Sequence, residues 1–149
     1  MAPNGVPPDL REFLKLLKSH GVKYLLIGGY AVAYHGYART TDDMDVWVAS
    51  EPENARRLVF VLEEFGFDAS NLPPDVFLDP NRMVRMGNPP NRLELLTSIS
   101  GVVFSECYES KITDMIDGVE VDVIDLESLK RNKIASGRPK DLEDLQRLD

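Results

Sequence analysis

Residues 28–48 constrain the fold of this 149-residue chain more than any other stretch. A glycine pair follows the apolar run Tyr24 to Ile27, and the stretch ends in the alternating sequence Asp43 to Val48. Alternation of this kind predicts a β-strand, in which Asp43 and Asp45 share one face while the apolar residues turn toward a core. The sequence therefore predicts two carboxylates side by side, close in the chain to a strand-to-helix turn.

The paired carboxylates and the glycines together predict a site for a metal ion and phosphates. Adjacent carboxylates repel each other, and Mg²⁺ is commonly held by one or two carboxylates together with substrate phosphates. Gly28 and Gly29 allow the backbone to approach a ligand, and the N-terminus of the following helix favours an anion. Arg39 and Thr40 are further candidates for phosphate contact, although Arg39 is equally compatible with a plain surface position. Each motif alone has a structural explanation, whereas their order and spacing favour the metal site.

The order of apolar strand, Gly-Gly, short helix, Arg-Thr-Thr and Asp-x-Asp resembles the nucleotidyltransferase superfamily, whose fold is shared by DNA polymerase β and poly(A) polymerases. The chain looks most similar to small bacterial members, including the AbiEii-like toxin group. Its tail, with Asn132-Lys133 and Arg138-x-Lys140-Asp141, is similar to the ending of those proteins. The resemblance implies an α/β (α+β) fold in two layers, with a mixed β-sheet and helices packed on one side.

The same resemblance implies an activity and its partners. It predicts transfer of an NMP from an NTP to an acceptor hydroxyl, with Mg²⁺ or Mn²⁺ as the cofactor. The acceptor is left open between RNA or tRNA, a protein side chain and a small molecule. The likeness to the toxin group makes an antitoxin protein a candidate partner.

A third carboxylate on a neighbouring strand is usual in this superfamily, and Glu94 is the preferred candidate. It alternates with apolar neighbours on a predicted strand that follows the Asp-x-Asp strand after one helix and one loop. Asp122 is the alternative, but it lies in a later hairpin, where we expect it and Glu120 to face solvent. The superfamily more often has aspartate in the third position and a serine where Tyr30 stands. A catalytically inactive nucleotide-binding or protein-interaction module on the same fold therefore remains the second interpretation.

The tail concentrates positive charge in a chain whose formal net charge is −8. Lys133, Arg138 and Lys140 are placed to hold a triphosphate or the leaving pyrophosphate if they lie opposite the metal site. The alternative is a solvated helix end, with Lys140 paired locally to Asp141. The net negative charge itself argues against broad, non-specific binding of nucleic acid.

Length and composition predict one domain over residues 1–149, which the resemblance identifies as nucleotidyltransferase-like, with 1–7 disordered and 126–149 forming C-terminal helices. No apolar run approaches a membrane span and no signal-peptide pattern is present, so a cytoplasmic location is expected. A lone cysteine, Cys107, excludes an internal disulfide framework and a cysteine-based zinc site.

The remaining patterns predict alternating helices and strands. Asp117-Gly118 is typical of a type I′ turn in a hairpin, and the Pro- and Asp-rich stretch 68–81 predicts a flap or binding loop. Trp47 is expected either to stack on a base or to pack in the core. The predicted helices are 9–19, 29–35, 51–65, 104–110, 126–135 and 140–148, and the predicted strands are 22–27, 43–48, 82–87, 91–97, 111–116 and 119–124.

Overall fold

A computed structural model of the protein describes residues 6–38, 41–68 and 72–148. Within these ranges the strands are β1 (Tyr24–Ile27), β2 (Asp43–Val48), β3 (Met83–Met86), β4 (Arg92–Leu96), β5 (Ile112–Ile116) and β6 (Val119–Val123). The helices are α1 (Pro8–Ser19), α2 (Gly28–Tyr34), α3 (Pro52–Phe65), α4 (Phe104–Glu109), α5 (Leu126–Ser136) and α6 (Pro139–Arg147), and a 3₁₀ turn spans Pro74–Leu78. Each predicted element is present, with its ends shifted by no more than two residues.

The six strands form one mixed sheet in the order β3-β4-β2-β1-β6-β5. β2 runs parallel to β4 and β1 runs parallel to β6, whereas the other neighbouring pairs are antiparallel. The sheet and its helices confirm the predicted α/β fold. Because β2 lies between β4 and β1, Asp43 and Asp45 have a neighbouring strand on each side.

The core lies where the apolar stripes of the first and third helices meet the sheet. Leu10, Phe13, Leu14 and Leu17 of α1 are buried at helical spacing, and so are Leu58, Val61 and Leu62 of α3. Burial of each such side chain contributes about 1.5–3 kcal/mol relative to exposure. This packing holds β1 and β2 firmly and fixes the positions from which the site is built.

The β5–β6 hairpin closes as the sequence predicts. Asp117 and Gly118 both have positive φ, 50° and 82°, as a type I′ turn requires. The Asp117 carboxylate also accepts a hydrogen bond of 2.6 Å from the backbone N–H of Val6, whose side chain is buried. Val6 is thus tied to the hairpin, while the disorder expected over residues 1–7 stays a prediction.

Asp122 corrects the expectation of solvent exposure on this hairpin. The residue is 2% exposed, and its carboxylate accepts hydrogen bonds from Thr113 Oγ1 at 2.7 Å and Lys18 Nζ at 3.3 Å. Glu120, on the same face, is exposed as expected. The alternation on β6 was recognised from the sequence, but the covering of Asp122 by α1 was not, because that contact joins residues far apart in the chain.

Two smaller expectations are also decided by burial. Trp47 is 1% exposed and packs edge-on against Phe104, so the packing alternative holds. In the stretch 68–81, Phe77 is fully buried and its carbonyl accepts a hydrogen bond from Ser50 Oγ at 2.8 Å. Within the described part of that stretch the chain is anchored to the core at Phe77, and a flap or binding loop there stays a prediction. Across the described ranges, none of the helices combines the length and apolar character needed to cross a membrane.

Candidate active site

Three carboxylates meet on the neighbouring parallel strands β2 and β4. In the register of β2 with β4, Asp45 lies opposite Glu94, and Asp43 lies on the same face of β2 two residues earlier. One oxygen from each of Asp43, Asp45 and Glu94 lies within 4.8 Å of the others. We call these three residues the acid cluster. The structure thus brings Glu94 beside the Asp-x-Asp pair and leaves Asp122 on the far side of β1.

Asp45 is the most electrostatically perturbed member of the acid cluster. Burial, followed by the nearby carboxylates of Glu94 and Asp43, raises the pKa of Asp45 to about 7, while Lys140 acts in the opposite direction. Its Oδ1 is buried and has no hydrogen-bond partner among the residues that the structure describes. A buried carboxylate oxygen without a donor is costly, so this atom is suited to a cation.

The other two acids are each held by an arginine from the sheet. The Arg92 side chain donates from Nε to Asp43 Oδ1, and this hydrogen bond holds the pKa of Asp43 below its usual value. Arg85 donates to Glu94 Oε1 from Nε at 2.9 Å and approaches it from Nη2 at 2.8 Å. Asp45 therefore differs from its two neighbours, which already share their charge with a cation.

The glycine pair brings the backbone against the acid cluster. Gly28 has φ +65°, and a Cβ at this position would collide with the Asp45 carboxylate. A Cβ at Gly29 would lie 2.9 Å from both Cβ and Oγ1 of Thr41. Neither position has room for a side chain, so steric crowding as well as the turn conformation explains why glycine occupies both.

A cleft of about 280 Å³ opens between the acid cluster and the C-terminal helices. Asp45, Glu94 and the two glycines line one wall, and the helical wall includes Arg138 and Lys140. The remaining lining residues combine apolar and polar side chains: Ile27, Met83, Leu96, Ser98, Ile99, Ser100, Asn132, Lys133 and Ser136. The cleft therefore has both charged and apolar surfaces.

The basic residues predicted for phosphate binding divide into two kinds. Lys140 is exposed, and among the described residues it forms no ion pair, so the pairing with Asp141 that the alternative interpretation required is not seen there. Arg138 is 68% exposed and also donates to Asp141. Lys133 departs from the expectation of a free cation, because its side chain is only 5% exposed and its Nζ lies 3.2 Å from both Asp141 and Asp144. Arg39 and Thr40 lie outside the described residues.

Sequence reasoning missed the residues that pair with the predicted ones. Arg92 lies two residues before Glu94 on the same strand face, so the alternation contained a signal for it. Arg85 lies opposite Glu94 across the β3–β4 hairpin, and its position follows once the register is known. Asp141 and Asp144 carry no such signal, since a helix spacing of three is ordinary on an exposed face.

The acid cluster fits a divalent metal ion. It offers three oxygen donors, the ligands that Mg²⁺ and Mn²⁺ prefer. The partnerless oxygen of Asp45 and the raised pKa of that residue both indicate carboxylate charge that the described protein groups do not neutralise. Asp43, Asp45 and Glu94 are therefore the residues that would hold such an ion.

A mixed sheet with an acid cluster on adjacent parallel strands, next to a glycine turn, defines the nucleotidyltransferase class of fold. Residues 7–149 match the family described as "Nucleotidyl transferase of unknown function (DUF2204)". The chain belongs to this family, and the nucleotidyltransferase resemblance inferred from the sequence is confirmed. The narrower likeness to the AbiEii-like group stays a prediction.

Solved structures agree on the fold. The Thermotoga maritima protein TM1012, classed as a nucleotidyltransferase, is similar with a TM-score of 0.63 and 17% identity, covering 92% of this chain and 88% of that protein. ANT(2″)-Ia, solved with adenylyl-2″-tobramycin, is similar with a TM-score of 0.57 and 14% identity, covering 92% of this chain and 83% of that protein. No curated protein is a significant match to the sequence.

Proposed function

We propose that the protein transfers an NMP from an NTP to an acceptor hydroxyl in a reaction that depends on a divalent metal ion. The observation that carries this proposal is the acid cluster: Asp45, one of whose oxygens has no hydrogen-bond partner among the described residues, lines a cleft that also contains Arg138 and Lys140. When bound by Asp43, Asp45 and Glu94, Mg²⁺ or Mn²⁺ would neutralise the carboxylates and polarise phosphate oxygens.

The nucleotide is held by the groups that line the cleft. The backbone at Gly28 and Gly29 approaches the phosphates closely because neither residue has a side chain. Lys140 and Arg138 donate to phosphate oxygens from the opposite wall and balance the charge that develops on the leaving group. Arg39 and Thr40 stay candidates for further phosphate contact on the basis of the sequence.

In the reaction itself, the acceptor oxygen attacks the α-phosphorus in line with the leaving group. The new bond joins the acceptor oxygen to the α-phosphorus, and the bond from that phosphorus to the bridging oxygen of the β-phosphate breaks. Pyrophosphate departs and the hydroxyl proton passes to water. The main contributions of the chain are to orient the reactants and to place charge next to the phosphates.

The proposal is tested by supplying each labelled NTP with Mg²⁺ or Mn²⁺ and a panel of hydroxyl acceptors (RNA or tRNA, protein and small molecules), and measuring pyrophosphate release and labelled product. We expect release that needs the metal and is lost in Asp45→Asn, while Glu120→Gln, which removes an exposed acid on a distant strand, behaves as the unmodified protein. If the protein binds nucleotide but releases no pyrophosphate in all of these conditions, the result would instead support the non-catalytic module.

The acceptor is proposed only as a class of hydroxyl compounds: an RNA or tRNA end, a protein side chain or a small molecule. ANT(2″)-Ia, a similar fold, was solved with an adenylylated aminoglycoside, and this makes an aminoglycoside a useful member of an acceptor panel. A toxin role with an antitoxin partner rests on the sequence resemblance. A toxin role predicts that expression of the unmodified protein arrests growth and that Asp45→Asn abolishes the arrest. Normal growth of cells that express the unmodified protein would contradict this role.

A further inference from the structure

Helix α6 is seated on the protein in an unusual way. Its buried residues are two aspartates, Asp141 and Asp144, whereas α1 and α3 bury stripes of leucine, valine and phenylalanine. Leu142, on the same helix, is 48% exposed. Leu148, the residue that ends the helix, lies in the core, but no apolar side chain within α6 itself is fully buried, so apolar burial does not explain by itself why α6 takes its position beside the cleft.

Charged contacts to the preceding helix provide that explanation. Lys133 of α5 places its Nζ 3.2 Å from Asp141 Oδ1 and 3.2 Å from Asp144 Oδ2, and all three side chains are nearly fully buried. Arg138, at the corner between the helices, donates to Asp141 Oδ2 from Nε at 2.8 Å and to Oδ1 from Nη2 at 3.2 Å. We call these four residues the corner network.

The corner network is balanced in charge and strongly directional. Two cations meet two carboxylates, so the formal charges cancel. Burial alone would raise the pKa of Asp141, but hydrogen bonds from Arg138 and the charge of Lys133 hold that pKa well below its usual value. Buried ion pairs add little net stability compared with apolar packing, but losing one partner is costly, which makes them suited to fixing one arrangement.

The residue next to the corner network is Lys140, an exposed cation that lines the cleft. Lys140 precedes Asp141 in α6 and lines the main cleft together with Arg138. It also lines a second cleft of about 180 Å³ that contains Asp43 and Arg92. A small rotation of α6 would move Lys140 away from the acid cluster.

We propose that Asp141 and Asp144 are positioning residues. They pair α6 with Lys133 and so hold Lys140 and Arg138 where a nucleoside triphosphate binds. This inference rests on the proposed function. It assigns Lys133 a role through its partners rather than through direct phosphate contact.

The test compares Asp144→Asn with Glu143→Gln, which removes one negative charge from the exposed side of the same helix. We expect Asp144→Asn to weaken binding of ATP with Mg²⁺ by about 5–30-fold while adenosine binding changes little. Backbone amides of α6 should exchange hydrogen faster, while those of the central strands stay protected. Glu143→Gln should match the unmodified protein in all three measurements.

A charge-balanced variant covers the case in which Asp144→Asn fails to fold. Lys133→Gln combined with Asp144→Asn removes one charge of each sign and leaves Arg138 paired with Asp141, and we expect the same selective loss of ATP affinity. Unchanged α6 exchange, or faster exchange with unchanged ATP affinity, would overturn the positioning role. If the unmodified protein binds ATP poorly but another NTP well, the same comparison is made with that NTP. If it binds no NTP with Mg²⁺, the proposed function fails and this inference with it, whereas binding that Asp144→Asn leaves intact overturns the inference alone.

Discussion

The two walls of the cleft are built by different physical means. The acid cluster is positioned by strand register, since Asp45 and Glu94 are direct neighbours on parallel strands whose apolar residues lie in the core. The helical wall is positioned by the corner network, in which Lys133 and Arg138 pair with buried carboxylates. Backbone hydrogen bonds therefore fix the first wall and side-chain charges fix the second. We expect substitutions in the first wall to change chemistry more than position, and substitutions in the second to do the reverse.

The largest effect is expected for Asp45→Asn, which removes the carboxylate that no described protein group neutralises. Metal-dependent transfer should fall by about 100-fold or more, in line with the loss of a key electrostatic group in an active site. Pyrophosphate release at saturating Mg²⁺ measures this. Transfer at the unmodified rate would remove Asp45 from the metal site.

The same substitution should stabilise the protein without metal, with a defined pH dependence. Burial and the neighbouring carboxylates raise the pKa of Asp45 to about 7 from its ordinary value of 3.8, so between these pH values the folded state holds a proton that the unfolded state has already lost. Stability is thus lost as the pH rises through this window, up to about 2–4 kcal/mol. Asp45→Asn should melt at a higher temperature than the unmodified protein at pH 8 and at a similar temperature at pH 4. Mg²⁺ at pH 8 should raise the melting temperature of the unmodified protein alone.

A smaller loss is expected for Glu94→Gln, which retains both aspartates. Transfer should be suppressed while much of the NTP affinity remains, since Asp43 and Asp45 can still hold a metal ion that arrives with the triphosphate. Asp122→Asn is the matched change on another strand, and it should leave transfer intact while costing about 1–3 kcal/mol of stability, because Lys18 loses a buried partner. Parallel turnover and melting measurements separate the two, and retained turnover in Glu94→Gln would contradict its assignment.

Gly28→Ala should act on the acid cluster through the backbone. Its φ of +65° disfavours a side chain, and the added Cβ would press on the Asp45 carboxylate. Gly118→Ala is the control, since that residue also has positive φ but nothing lies near its Cβ position. Gly118→Ala should lose about 1 kcal/mol of stability from backbone strain, and Gly28→Ala should lose more than this because of the collision, and activity as well. Equal activity in the two variants would indicate that the space beside Asp45 is not needed.

The two walls also differ in how far the sequence predicts them. Alternation identified β2 and the face of Asp43 and Asp45, and the order of elements was enough to place Glu94 on the neighbouring strand. Positive charge identified the helical wall, but charge alone does not distinguish a free cation from a paired one. Lys133 and Lys140 look equivalent in the sequence, and they differ only because Asp141 and Asp144 turn toward α5. Such pairing depends on the angle between two helices, which no local pattern encodes.

The smallest effect is expected for Lys140→Ala, and it tests whether the second wall holds phosphate at all. The side chain is exposed and, among the described residues, unpaired, so its removal should cost little stability. A charge-assisted hydrogen bond contributes about 1.5–3 kcal/mol when it is well formed, and less at an exposed position. We therefore expect roughly a 3- to 10-fold weaker affinity for ATP with Mg²⁺, a smaller change for AMP and none for adenosine. Lys15→Ala, which removes an exposed lysine from α1, controls for net charge. If affinity falls equally for ATP and adenosine, Lys140 contacts the nucleoside, and if neither changes, the phosphates are held by the acid-cluster side of the cleft without it.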